Sequence, residues 1–255
     1  MRRYTLLFIV VLLFVTQAAL SDEAKDALAL FYKANALYEK GDYAKAVEGY
    51  IAILDIGLES GNVHYNMGNG FLKLGKIGHA ILCYERAKIF MPGDSDLKAN
   101  LNYAKSLVEG SDTVASSRFI LIMMVGRLFS DYSLNTIAII GAILYALVIL
   151  VSAVNIINPI FIKISRLLLL ITLAAFLLDS LAFAIRYYNE EIVRYGIVIQ
   201  KEVDAKYEPI DKSTTYYRLH EGNKAIVLQT RNGWRQIKRL DGKIAWIVKE
   251  ALEEI

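Results

Sequence analysis

Few side chains in this 255-residue sequence are placed to do chemistry, and those that are point to binding. His64, His79 and His220 are scattered, with no two at metal-ligand spacing, so no metal site is expected. A glycine-rich phosphate loop, a nucleophile elbow and a convergent carboxylate pair are all missing from the sequence, so neither a cofactor nor an enzymatic activity is expected. The lone Cys83 reads as a small apolar residue on a packed helix, with a reactive thiol as the alternative. Asp179 interrupts an otherwise apolar run, where a charge costs roughly 2.5–3.5 kcal/mol at mid-bilayer. It either pairs with a membrane helix of a partner or reaches interfacial water or Ser180. Asn35 and Asn69 are one period of 34 residues apart, so their amides could hold the backbone of an extended peptide or bond within the repeats. Tyr38 and Tyr65 would add aromatic contact area, and Lys73 could meet a carboxylate. Trp234 and Trp246 either fill a small core or form an aromatic surface for a peptide or cell-wall fragment.

The elements that must carry these residues begin with a repeat. Gly41, Asp42, Tyr43, Ala46 and Tyr50 recur as Gly75, Lys76, Ile77, Ala80 and Tyr84, followed by Pro92. A 34-residue period with this alternation of small and aromatic residues is the pattern of tetratricopeptide helical hairpins. Repeats at 27–60 and 61–94 place Ala34, Ala46, Gly68 and Ala80 where helices approach closely, with Tyr50 and Tyr84 between hairpins. Asp94 or Ser95 caps a further helix that covers the end of the stack, giving a repeat domain over 22–110. The concave face then comprises Leu28, Phe31, Asn35 and Tyr38, and Asn62, Tyr65, Asn69 and Leu72. It has no basic pair of the carboxylate-clamp kind, so a C-terminal carboxylate is not the expected ligand.

Residues 1–21 combine Arg2 and Arg3, an uncharged run and small residues near Ala18, Ala19 and Ser21, and read as a secretory signal. An uncleaved anchor is the alternative, and both put residue 22 onward outside the cytoplasm. Residues 111–133 form a linker and an interfacial segment. An uncharged run at 134–157 and a mostly apolar one at 167–187 are each long enough to cross a bilayer at about twenty residues per span. The loop at 158–166, with Lys163 and Arg166, is expected to be cytoplasmic. Net charge is +3 without a basic stripe, which argues against nucleic acid.

Residues 193–255 change character. The β-branched runs Gly196–Ile199 and Ala225–Leu228, with turns at Asn232-Gly233 and Asp241-Gly242, predict a small all-β barrel. The run Leu219-His220-Glu221-Gly222, Gly233-Trp234, Asp241-Gly242 and Ala245-Trp246-Ile247 is similar to bacterial SH3 domains, with Ala245 where a glycine is usual. Tyr65-Asn66-Met67-Gly68-Asn69 through Ala80–Ala87 to Pro92-Gly93-Asp94 and Asn100-Leu101 resembles the tetratricopeptide proteins of the bacterial Bat aerotolerance cluster (BatE-like).

The expected fold class is therefore a multidomain membrane protein: all-α tetratricopeptide hairpins, two transmembrane helices and a small all-β SH3-like barrel. The resemblance implies an inner-membrane protein with both modules in the periplasm. It implies work beside von Willebrand factor A-type membrane proteins and a MoxR-type ATPase, in oxygen or stress tolerance. The expected role is a protein-interaction scaffold. The alternative is a sensor whose barrel recognises peptidoglycan.

Overall fold

The computed structural model describes residues 25–108, 120–157 and 162–255. The signal at 1–21, most of the linker and the first part of the 158–166 loop lie outside the described residues. The chain is rich in helix, with one antiparallel sheet of seven strands.

Five helices open the described chain: α1 over 25–39, α2 Tyr43–Asp55, α3 Gly61–Lys73, α4 Ile77–Phe90 and α5 Ser95–Ser106. Gly41 and Gly75 end α1 and α3 with φ of 83° and 71°, the left-handed geometry that lets a helix reverse in few residues. Ser60 Oγ accepts from Val63 N and Asp94 Oδ1 from Leu97 N, so α3 and α5 start on side-chain caps. Small residues set the spacing. Ala34, Ala46 and Ala80 are buried, and a Cβ added at Gly68 would lie 2.7 Å from the Tyr84 ring. One apolar cluster joins α1, α2 and α3 through Ala34, Tyr50, Val63 and Met67, and reaches Cys83 of α4.

Next come α6 Ile120–Leu128, α7 Leu134–Ile157 and α8 Ile162–Tyr187, the last continuing into a π turn at Tyr188–Ile192. The segments Leu134–Ile156 and Lys163–Ile192 have mean hydropathies of 2.8 and 2.4 and are long enough to cross a membrane. They pack against each other and against little else, since only 11% of each is buried. α8 starts five residues before the span expected at 167. Ile162–Arg166 contains no proline or glycine, so Lys163 and Arg166 ride on its first turn instead of in a loop. Ser165 Oγ donates to Asn155 Oδ1 at 2.5 Å at one end of the pair, and at the other Arg186 of α8 donates at 3.2 Å to Ser130 O, in the segment that leads into α7. The segment expected to lie flat on a bilayer, α6, packs along α8 with Val125 buried.

The sheet comprises β1 Tyr195–Val198, β2 Glu202–Lys206, β3 Thr215–His220, β4 Lys224–Arg231, β5 Trp234–Arg239, β6 Ile244–Val248 and β7 Leu252–Glu254, in the order β3-β2-β6-β5-β4-β1-β7. β4 and β5 are joined through Asn232 and Gly233, both at positive φ, the geometry of a tight primed hairpin turn. The sheet curls around one core that includes Val203, Leu219, Val227, Ile237, Ile247 and Leu252.

Candidate functional site

The asparagines are built into a ladder with the period of the repeat. Asn35 Oδ1 accepts from Tyr50 Oη at 2.6 Å and from Asn66 Nδ2 at 3.0 Å. One period on, Asn69 Oδ1 accepts from Tyr84 Oη at 2.7 Å and Asn100 Nδ2 at 2.9 Å. Asn100 also donates to Tyr65 Oη at 3.0 Å. Each asparagine oxygen thus ties its own helix to the next two. Tyr65 and Asn69 are half-buried in this network, Tyr38 packs edge-on against Tyr43, and Lys73 is exposed. The ladder runs into α5, so α5 repeats the role of α3. Tyr103 falls one period after Asn69 and is 58% exposed, an equivalent position that a reading of α5 as a mere cap misses. The recurrence of Asn66 as Asn100 is the sequence signal that could have found it.

Asp179 is buried and faces α7 of its own chain: a Cβ added at Gly141 would lie 2.6 Å from its Oδ2. Its neighbour here is therefore the adjacent helix of the same hairpin, with Oδ1 lacking a hydrogen-bond partner.

Neither tryptophan joins the interior of the sheet. Ala245 and Ile247 point inward, so Trp246 between them faces the other way and is half-buried. Trp234 is buried outside that core, with the Lys206 ammonium 5.6 Å from its ring centroid. Ala205, Ala225, Ala245 and Ala251 are among the side chains that line the interior. Tyr207, just after β2, and Tyr216 of β3 stack at 4.6 Å, and both are exposed.

The repeat stack and the sheet are docked together. Ile197 of β1 is buried in the cluster formed by Ile81, Leu97 and Leu101 of α4 and α5. Gly78 N donates to Glu221 Oε1 at 2.8 Å, and Arg86 bonds Glu253 Oε1 and Glu254 O at 3.0 and 2.6 Å. Glu85 of α4 is buried between Lys105 of α5 at 2.5 Å and Lys224 of β4 at 2.9 Å. Burial alone would raise its pKa, but the two lysines outweigh that and hold it at about 2. Burial pushes the Cys83 thiol up to about 12, leaving it inert at neutral pH.

Two cavities flank this junction. One of about 460 Å³ lies where α4, α6, α8 and β1 meet, and one of about 550 Å³ lies between α5 and β3, β4 and the turn at Leu240 and Asp241. The described residues contain no cluster of three or more metal-ligating side chains.

No family model and no curated protein matches this chain. Among solved structures, NlpC1 from Trichomonas vaginalis matches at 24% identity with a TM-score of 0.23, covering 25% of this chain and 24% of that one. NlpC2 from the same organism matches at 21% identity with a TM-score of 0.23, covering 26% of each. The chain spans about a quarter of those structures, and a likeness of this size carries no argument about fold or activity.

Proposed function

We propose that this protein is a membrane-anchored interaction scaffold of the BatE-like kind, binding its partners without turning anything over. On this reading α1–α5 are tetratricopeptide hairpins, the sheet is an SH3-like barrel, and α7 and α8 cross the inner membrane with both modules in the periplasm. Partners of the von Willebrand factor A type and a MoxR-type ATPase system follow from the resemblance. The observation that carries the reading is that a repeat stack and a sheet sit together at one end of a pair of apolar helices. Those helices leave Ile139, Ile143, Leu170 and Ile171 exposed, an apolar surface that water would not tolerate and lipid would. The docked sheet uses α4 and the end of α5, so the concave face of α1, α3 and α5 stays available to a ligand. Because the asparagine oxygens are committed to the ladder, that ligand would meet the amide nitrogens, Lys73 and Tyr103.

The test is a detergent pull-down of the full chain from its native membrane, with and without Lys73→Glu and Tyr103→Ala. Both side chains are exposed, so the double variant should fold normally and lose its co-purifying membrane proteins. An unchanged set of partners would end the groove reading. The stacked, exposed Tyr207 and Tyr216 favour a second reading, in which the sheet binds cell-wall fragments. Sedimentation with purified sacculi, abolished by Tyr207→Ala, would support that reading, and no sedimentation would remove it.

A further inference from the structure

The cavity of about 460 Å³ is walled by charge above and apolar side chains below. Its upper wall brings together Lys88, Arg186, Arg194 and Lys224 with Glu85, Glu190 and Glu254. Every carboxylate in that wall is already engaged. Glu85 is held by Lys105 and Lys224, Glu190 by Arg186 at 2.5 Å, and Glu254 by Arg235 at 3.2 Å with Arg194 at 3.9 Å. Five cations therefore share three carboxylates. Among the described residues, Lys88 has no carboxylate within ion-pairing distance. Burial lowers its pKa, Glu85 offsets part of that, and Lys105, Lys224 and Arg186 lower it again, so an added anion would be drawn to a cation already crowded by others.

The lower wall is different chemistry. Gly126 comes from α6, Phe129 from the turn just after it, and Ala182 and Ile185 from the last turns of α8. The nearby outer surface carries Met124 and Leu128, exposed at 58% and 67%, and Tyr132, Tyr187 and Tyr188, also exposed. Tyrosines at the end of an apolar span mark the depth of lipid headgroups. A site with cations on the water side and an apolar floor on the bilayer side suits a molecule with the same polarity, and its volume lies within the usual range of small-molecule sites, about 300–1,000 Å³.

We propose that this cavity binds the phosphate of an anionic phospholipid, with Lys88, Arg186 and Arg194 around the phosphate and the acyl chains leaving between α6 and α8. The inference rests on the reading of α7 and α8 as membrane-spanning. It gives the scaffold a ligand that bridges all three of its parts.

The test uses the full chain in mild detergent, with native mass spectrometry reading retention of added phosphatidylglycerol, phosphatidylcholine or glycerol 1-phosphate. Phosphatidylglycerol should be retained over phosphatidylcholine, and Lys88→Gln should weaken it about tenfold, the scale of one charge-assisted hydrogen bond. Lys88→Arg should restore it. Arg194→Gln, at a more exposed position, gives the same readout if Lys88→Gln does not fold. Equal retention of both lipids, or indifference to both substitutions, would overturn the proposal. Glycerol 1-phosphate binding as tightly as the lipid would replace it with a soluble phosphate-ester site. Alkaline carbonate extraction of the same membranes separates the two failures: release of the chain would sink the spanning reading itself, whereas retention without lipid selectivity would sink only the cavity.

Discussion

At the level of single residues, burial without full pairing sets how the protein responds to acid. His64 is buried, with Nε2 2.6 Å from Glu59 Oε1, and burial holds its pKa below the usual 6.5 despite that carboxylate. Burial lowers His79 as well, with Lys76 assisting. A histidine depressed in the fold leaves stability intact above pH 6.5 and erodes it as pH falls below that value, because the unfolded chain takes up the proton first. Glu85 is depressed from 4.5 to about 2, so its contribution is present above pH 4.5 and fades as pH drops toward 2. Thermal melts should therefore show a first decline below pH 6.5 and a steeper one below 4.5. His64→Gln with His79→Gln should flatten only the first, and a melt unaffected by pH between 7 and 5 would contradict the assignment. The role of Glu85 was not legible in the sequence. Nothing in the spacing of Glu85 and Lys224 announces that they meet, because their contact depends on how two modules dock.

At the level of elements, more could be read. The 34-residue recurrence located the hairpins, and Gly41, Gly75, Ser60 and Asp94 locate their ends through backbone geometry that follows from residue type. The period-2 runs and the Asn232-Gly233 turn likewise located β1, β4 and β5. What failed was finer. The start of α8 has no breaker to mark it, and residue type alone does not tell that Trp234 is buried while Trp246 is half-buried opposite Ala245 and Ile247. The Gly68 contact is a clean test of the repeat geometry. Tyr84 is pinned to Asn69, so its ring cannot slide away from an added methyl group. Gly68→Ala should destabilise the stack by about 1–3 kcal/mol, as overpacking does. Pairing it with Tyr84→Ala should relieve that clash, so a double-mutant cycle in urea denaturation should show coupling, and simple additivity would refute it.

For the whole molecule, the repeats and the sheet behave as one body because Ile197 and Glu85 are buried between them. Lys224→Ala would leave Glu85 with Lys105 alone, and losing one hydrogen bond to a charged group typically costs about 1.5–3 kcal/mol. Hydrogen exchange should then speed up together in α4 and β1, with β5 and β6 largely unaffected. Unchanged exchange in β1 would mean that apolar contact alone holds the modules. The two fastenings on the α7–α8 hairpin have a consequence for any transmitted signal. Shifting α8 along α7 by a single residue is about 1.5 Å of travel, and it would stretch the Ser165–Asn155 and Arg186–Ser130 bonds at the same moment. Piston-like sliding is thus disfavoured at both ends, so a partner's pull on the modules would reach the far side of the hairpin as a tilt of both helices in fixed register.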